Sequence, residues 1–183
     1  DIGRTVLRAL SKCEIDVKNA ISSGGNDEMS NGNGSLMRMM SIIYYCYYNQ
    51  SKDIEILKIV KEVSTITHAH EISIMGCYIY VQYGIKLLQC LDKNKSYKYI
   101  QNLDYSMFNP NTINKYNRII KNNISKYDLS EISSKGYVVD TLEATLWMLL
   151  NTENYNHAII GAINLGNDTD TVGACVGGLA GIL

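Results

Sequence analysis

The chain has 183 residues, 46% of them hydrophobic, with 17 Lys and Arg against 18 Asp and Glu and a formal net charge of −1. This length and apolar content suit a single globular domain that buries roughly 70% of its unfolded surface, and they exclude a disordered chain. The near-zero charge excludes a general polyanion binder, so no nucleic-acid partner is expected. The longest nearly apolar run, residues 72–81, falls short of the ~20 needed to span a bilayer, and no signal-peptide pattern is visible, so no membrane partner is expected. The five cysteines (Cys13, Cys46, Cys77, Cys90 and Cys175) are widely spread and form no C-x-x-C pair. Free thiols in a reducing, cytoplasmic compartment are expected, rather than disulfides or a zinc site.

With Pro110 as its single proline and long stretches of 3.6-residue apolar periodicity, the chain is expected to be all-α. Ile2, Val6, Leu7 and Leu10 form one apolar face of a first helix. A Gly/Ser/Asn-rich loop covers 22–34, and helices are then expected over 36–48, 53–65, 71–91, 112–122, 139–150, 155–164 and 171–183. No strictly alternating run bounded by turn pairs demands a hairpin. Residues 92–128 interleave Tyr97, Tyr99, Tyr105 and Tyr116 with Lys95, Lys98, Lys115 and Lys121. A basic, aromatic stretch is a nucleic-acid signal in some proteins, but a solvated, compositionally biased insertion or surface face is expected here.

Four stretches have the residue types that chemistry needs. "MSNGNGSLMRMM" (29–40) places Asn-Gly-Asn-Gly before a helix. Such a backbone is able to take positive φ and turn N–H groups toward an anion, although an ordinary turn capped by Ser35 also fits. Arg38, one turn on, suits a phosphate or an internal carboxylate equally. In "THAHE" (67–71) the two histidines are two apart and so do not share a helix face. His68 is expected at a helix boundary, as a donor to a ligand or as a structural residue. In "GYVVDTLEATLW" (136–147) Asp140 and Glu143 are explained by helix capping. In "GNDTDTVGACVGGLAGIL" (166–183) Asp168 and Asp170 precede a run of small residues with no Lys or Arg beside them. Helix capping and hard-oxygen metal ligation, with the Thr171 hydroxyl as a third donor, both fit that turn.

"DIGRT", "SNGNGSLMR", "THAHE", "GYVVDTLEATLW" and "GNDTDTVGACVGGLAG", in this order, resemble the ADP-ribosylglycohydrolase family of the dinitrogenase reductase-activating type. They run from end to end of the chain, with 92–128 the least matched. The resemblance implies a compact all-α, multi-helix domain over 1–183 with a binuclear Mg²⁺ or Mn²⁺ centre. It also implies hydrolysis of N- or O-glycosidic ADP-ribosyl bonds, releasing ADP-ribose from a modified protein or a small ADP-ribose conjugate. Residue by residue, it implies Asp168, Asp170 and Thr171 as metal ligands. Ser30, Asn31, Gly32, Asn33, Gly34 and Arg38 fall in the segment that lines the ADP-ribose pocket, and His68 and Tyr137 line the same cleft. Asp1 matches an aspartate close to the reacting ribose, and Arg4 stands where many relatives carry Asn. The family's remaining ligands belong to an acidic G-D-A-x-G…E segment and a Thr-Asp-Asp motif, neither of which occurs here, so the resemblance covers the C-terminal two-thirds of the family fold. The competing reading is a catalytically inactive relative, either a crystallin-like structural protein or an ADP-ribose-binding module.

Overall fold

The computed structural model describes residues 3–15 and 17–183, with side chains for all of these except 14, 15 and 17–19. Its axis is α4 (Glu71–Cys90), whose sequence carries one acid, Glu71, and one base, Lys86, in 20 residues. A helix apolar on every side must be enclosed, and every residue from Ile72 to Ile85 is buried. Around it pack α2 (Met40–Tyr48), α3 (Asp53–Thr65), α5 (Lys93–Gln101) and α8 (Val138–Asn151). Two short helices, α6 (Pro110–Lys115) and α7 (Asn117–Ile120), follow α5, and α9 (Tyr155–Asn164) precedes α10 (Thr169–Ala180). α10 lies against α8, α9 and the 3₁₀ segment Asn33–Arg38, which brings its N-terminus to the Asn-Gly loop. Among the described residues there is no sheet, only isolated bridges pairing Gly25 with His68 and Gly32 with Tyr137. No helix among them is long and apolar enough to cross a membrane. The five cysteines are free, with Cys46, Cys77 and Cys175 buried.

The helices at 53–65 and 155–164 coincide with the sequence expectation. Those at 71–91 and 139–150 are met to within a residue at each end, and the one at 171–183 is shifted to Thr169–Ala180; at two others tertiary packing overrides the expectation. The expected helix at 36–48 begins as the 3₁₀ segment Asn33–Arg38 before α2. Three residues per turn stack i on i+3, and this aligns the buried Asn33, Leu36 and Met39 on one side. The expected helix at 112–122 breaks at Tyr116 (φ −100°, ψ 12°), which is fully buried and donates its hydroxyl to the Ile72 carbonyl at 2.7 Å.

Residues 92–128 are not a solvated insertion. Tyr97, Tyr105 and Tyr116 are core residues, and the Tyr97 and Tyr105 hydroxyls donate to the carbonyls of Ile119 and Ile100, both at 2.7 Å. A tyrosine buries readily once its hydroxyl has an acceptor. On α1 (Arg4–Ile15) the expected apolar face is open at Leu7 (52% exposed) and Leu10 (44%), with Val6 half-buried and Ile2 outside the described residues, whereas Ala9 is buried.

Candidate active site

Asn33 ties the site together. Its backbone N–H donates to the Gly136 carbonyl at 3.1 Å, and the Val138 N–H donates to the Asn31 carbonyl at 3.0 Å, fastening the loop to the start of α8. The Asn33 amide, itself buried, spends one proton on Thr141 Oγ1 at 2.8 Å and the other on Asp168 Oδ2 at 2.7 Å. Because Thr141 Oγ1 donates to the Lys135 carbonyl at 3.3 Å, it is free to accept from Asn33. The Asp168 N–H in turn donates to the Ser134 carbonyl at 3.1 Å. The turn from α9 into α10 takes two successive left-handed residues, Gly166 (φ 75°) and Asn167 (φ 55°), the residue types that tolerate that conformation.

Asp168 is the N-cap residue of α10 but makes no side-chain capping bond; its carboxylate turns to Asn33 instead. A hydrogen bond shared with Asp168, and next the N–H of Thr171, hold the exposed Asp170 carboxyl below the ordinary carboxylate range. The two carboxyls and the Thr171 hydroxyl are all hard oxygen donors on one turn, the type that Mg²⁺, Mn²⁺ and Ca²⁺ prefer. Among the described residues no group of three or more His, Cys, Asp or Glu side chains comes together. An octahedral ion takes six oxygens, so these three donors alone would leave it half ligated.

Across the cleft stands His68, in the turn between α3 and α4 and 2% exposed. Burial, with the Arg38 guanidinium second, pushes its imidazole down to about 4, so the ring is neutral at physiological pH. Its Nδ1 lies 2.7 Å from Thr67 Oγ1. Arg38 Nη2 donates to Thr67 Oγ1 and to the Val63 carbonyl, and Nη1 to the Gly34 carbonyl, so the guanidinium braces the cleft wall. The Asn-Gly loop needs its glycines for close approach. Gly32 has φ −68°, an ordinary value, but a Cβ there would stand 3.4 Å from His68 Nε2, and one on Gly34 would stand 3.0 Å from His68 Cε1.

These parts enclose a cleft of about 610 Å³ lined by Gly3–Val6, Gly32, Asn33, Gly34, Met37, Arg38, His68, Gly136, Asp168, Asp170 and Thr171. Other candidate residues stand behind its wall. Ser30 bonds Asp27, and the Asn31 side chain bonds the Glu28 carbonyl and Ser73. Tyr137 packs against the core, so Gly136 rather than Tyr137 meets the cleft. Asp1 lies outside the described residues. Sequence reasoning missed Thr67, Thr141, Ser134 and Gly136. A Cβ on Gly136 would stand 3.2 Å from Asp168 Oδ2, and the only trace of that in the sequence is a glycine at the head of an amphipathic helix.

A segment of 53 residues is 55% identical to proteins named ADP-ribosylarginine hydrolase Tri1 from Serratia proteamaculans (strain 568) and Pseudomonas putida (strain GB-1). It makes up 29% of this chain and 14% of each relative. A solved structure described as an ADP-ribosylglycohydrolase-related protein complex matches 98% of this chain and 58% of its own, with a TM-score of 0.78 and 24% identity, a likeness of fold. The model of one family, ADP-ribosylglycohydrolase, matches residues 1–183 from end to end, and the chain belongs to that family.

Proposed function

We propose that the cleft binds ADP-ribose and that the chain takes part in divalent-metal-dependent hydrolysis of an ADP-ribosyl bond on a modified protein or small conjugate. What supports this is the convergence on one cleft of the loop around Asn33, His68 and the Asp168–Asp170–Thr171 turn, held together by the Asn33–Asp168 hydrogen bond. Cleavage at the anomeric carbon passes through an oxocarbenium-like state, and two carboxyls at one end of the cleft put negative potential where positive charge develops. Asp168, Asp170 and Thr171 would hold the ion. When bound, a hard divalent ion supplies Lewis acidity and orientation. Asn33 fixes the Asp168 carboxylate in a single orientation, and the His68 edge binds a ligand oxygen.

Two variants test the parts separately. Gly32→Val is expected to weaken ADP-ribose binding at least tenfold by calorimetry, because its side chain covers His68 Nε2. The backbone φ of −68° suits valine, so the melting temperature should change little. Asp170→Asn should leave the melting temperature in EDTA within a few degrees of wild type, because the carboxyl is exposed and solvent screens its bonds within the turn. The same substitution should remove whatever increase Mn²⁺ gives, since binding to the folded state stabilises it. An equal, large loss in EDTA and in Mn²⁺ would make this aspartate structural. The two relatives are named for ADP-ribosylarginine, which makes that linkage the first substrate to assay. ADP-ribose binding without release would instead favour a binding module, and neither binding nor release a structural relative.

A further inference from the structure

The hydrogen bonds around Thr67 fix a property of the cleft wall. Arg38 can only donate, and its Nη2 gives a proton to Thr67 Oγ1 at 2.8 Å. Thr67 Oγ1 then has one proton and one lone pair left for His68 Nδ1, 2.7 Å away. Thr67 is 4% exposed, and among the described residues its hydroxyl bonds only these two groups. If Nδ1 carried the imidazole proton, the Thr67 hydroxyl hydrogen would be buried with no acceptor. If Nδ1 is bare, every group is satisfied. The neutral ring therefore carries its proton on Nε2. Among the described residues that atom has no hydrogen-bond partner, and it lies at the cleft beside Gly32 and Gly34, whose missing side chains leave it uncovered.

We propose that Thr67 is a positioning residue that locks His68 in the Nε2–H form, making it an obligate hydrogen-bond donor to an anionic oxygen of the ligand. The chain runs head to tail, from the Arg38 N–H to Thr67 Oγ1, from its O–H to His68 Nδ1, and from Nε2–H into the cleft. Each bond polarises the next, with a guanidinium charge at the inner end. Along this chain Arg38 acts on the ligand through two intermediaries, with Nη2 directed to Val63, Ser64 and Thr67 and Nη1 to Gly34. A phosphoryl oxygen fits this donor, and a group that itself donates does not. The choice of ADP-ribose as probe rests on the function proposed above; the tautomer does not depend on it.

The test has two readouts. Nitrogen NMR of the imidazole in the ligand-free chain should show His68 with a bare Nδ1 and a protonated Nε2, shifting toward a mixture of forms in Thr67→Val. In calorimetry with ADP-ribose, Thr67→Val should weaken binding at least tenfold, while Thr67→Ser, which restores the hydroxyl, should stay within about twofold of wild type. Melting temperatures of both variants separate this from unfolding. A protonated Nδ1 in the wild-type chain, or Thr67→Val binding as tightly as wild type, would overturn the proposal. Wild-type chain that shows the Nε2–H form yet binds no ADP-ribose would leave the lock standing and overturn the ligand assignment instead.

Discussion

Replacing Arg118 with methionine is expected to destabilise the fold by about 3–5 kcal/mol at pH 8 and by clearly less at pH 5. Arg118 Nη1 lies 2.9 Å from Glu143 Oε2, and the Glu143 residue is 3% exposed. Burial is the largest influence on that carboxyl; Arg118 pulls it down, Asp140 pushes it up, and burial wins, raising it to about 7 from 4.5. A carboxyl raised in the folded state favours folding while it is protonated. Its contribution is complete below about 4.5 and is lost as the pH climbs through about 7. Without Arg118 the folded-state value moves higher still, so at pH 8 the variant must bury either a bare charge or a proton taken up at a cost. At pH 5 Glu143 is largely neutral in the folded protein with or without its partner. Urea unfolding at the two pH values measures the difference. Equal losses at both would attribute the effect to the contacts Methionine cannot make, the stacking 4.2 Å over the Tyr127 ring and the bond to the Glu131 carbonyl. The consequence for the cleft is positional, since α8 also carries Thr141, on which Asn33 rests.

What was legible in the sequence is what local patterning controls. The edges of α3 and α9 follow from polar breaks around periodic apolar runs, and the burial of α4 follows from a sequence with no polar face. The helix start at Asp168 to Thr171 was legible because acids and threonines ahead of a run of small residues suit a helix N-terminus. The misreadings lie where distant residues decide. Treating Tyr97, Tyr105 and Tyr116 as surface residues overlooked the backbone carbonyls that receive their hydroxyls. The Asn-Gly loop was expected to exploit positive φ, yet Gly32 has φ −68° and its use is to leave the His68 edge open. Asn33 reaches partners 108 and 135 residues away, and no periodicity foretells that.

Asn33→Asp turns that junction into a switch. Asn33 is 8% exposed, and its amide protons satisfy Asp168 and Thr141. A carboxylate in its place has no proton to give and stands against Asp168, with Asp170 two residues on. Two unit charges about 4 Å apart at an effective dielectric of about 20 repel by about 4 kcal/mol. Among the described residues the hydrogen bonds of Arg38 run to carbonyls and Thr67, and none reaches this pair. The variant should therefore lose about 3 kcal/mol at pH 8. The new carboxyl is raised in the folded state, so its penalty applies above the folded-state value and fades as acid protonates it, and most of the loss should return at pH 5. Millimolar Mn²⁺ should restore stability at pH 8 by a different route, because three carboxyls and a hydroxyl form a fuller hard-oxygen set than the natural turn and binding adds to folded-state stability. Asn33→Leu, similar in size but uncharged, should lose the hydrogen bonds without gaining either response. If acid restores nothing, the Asn33–Asp168 contact is not the one described. If acid restores stability and Mn²⁺ does not, the turn holds no divalent ion, and the metal-dependent part of the proposed function falls with it.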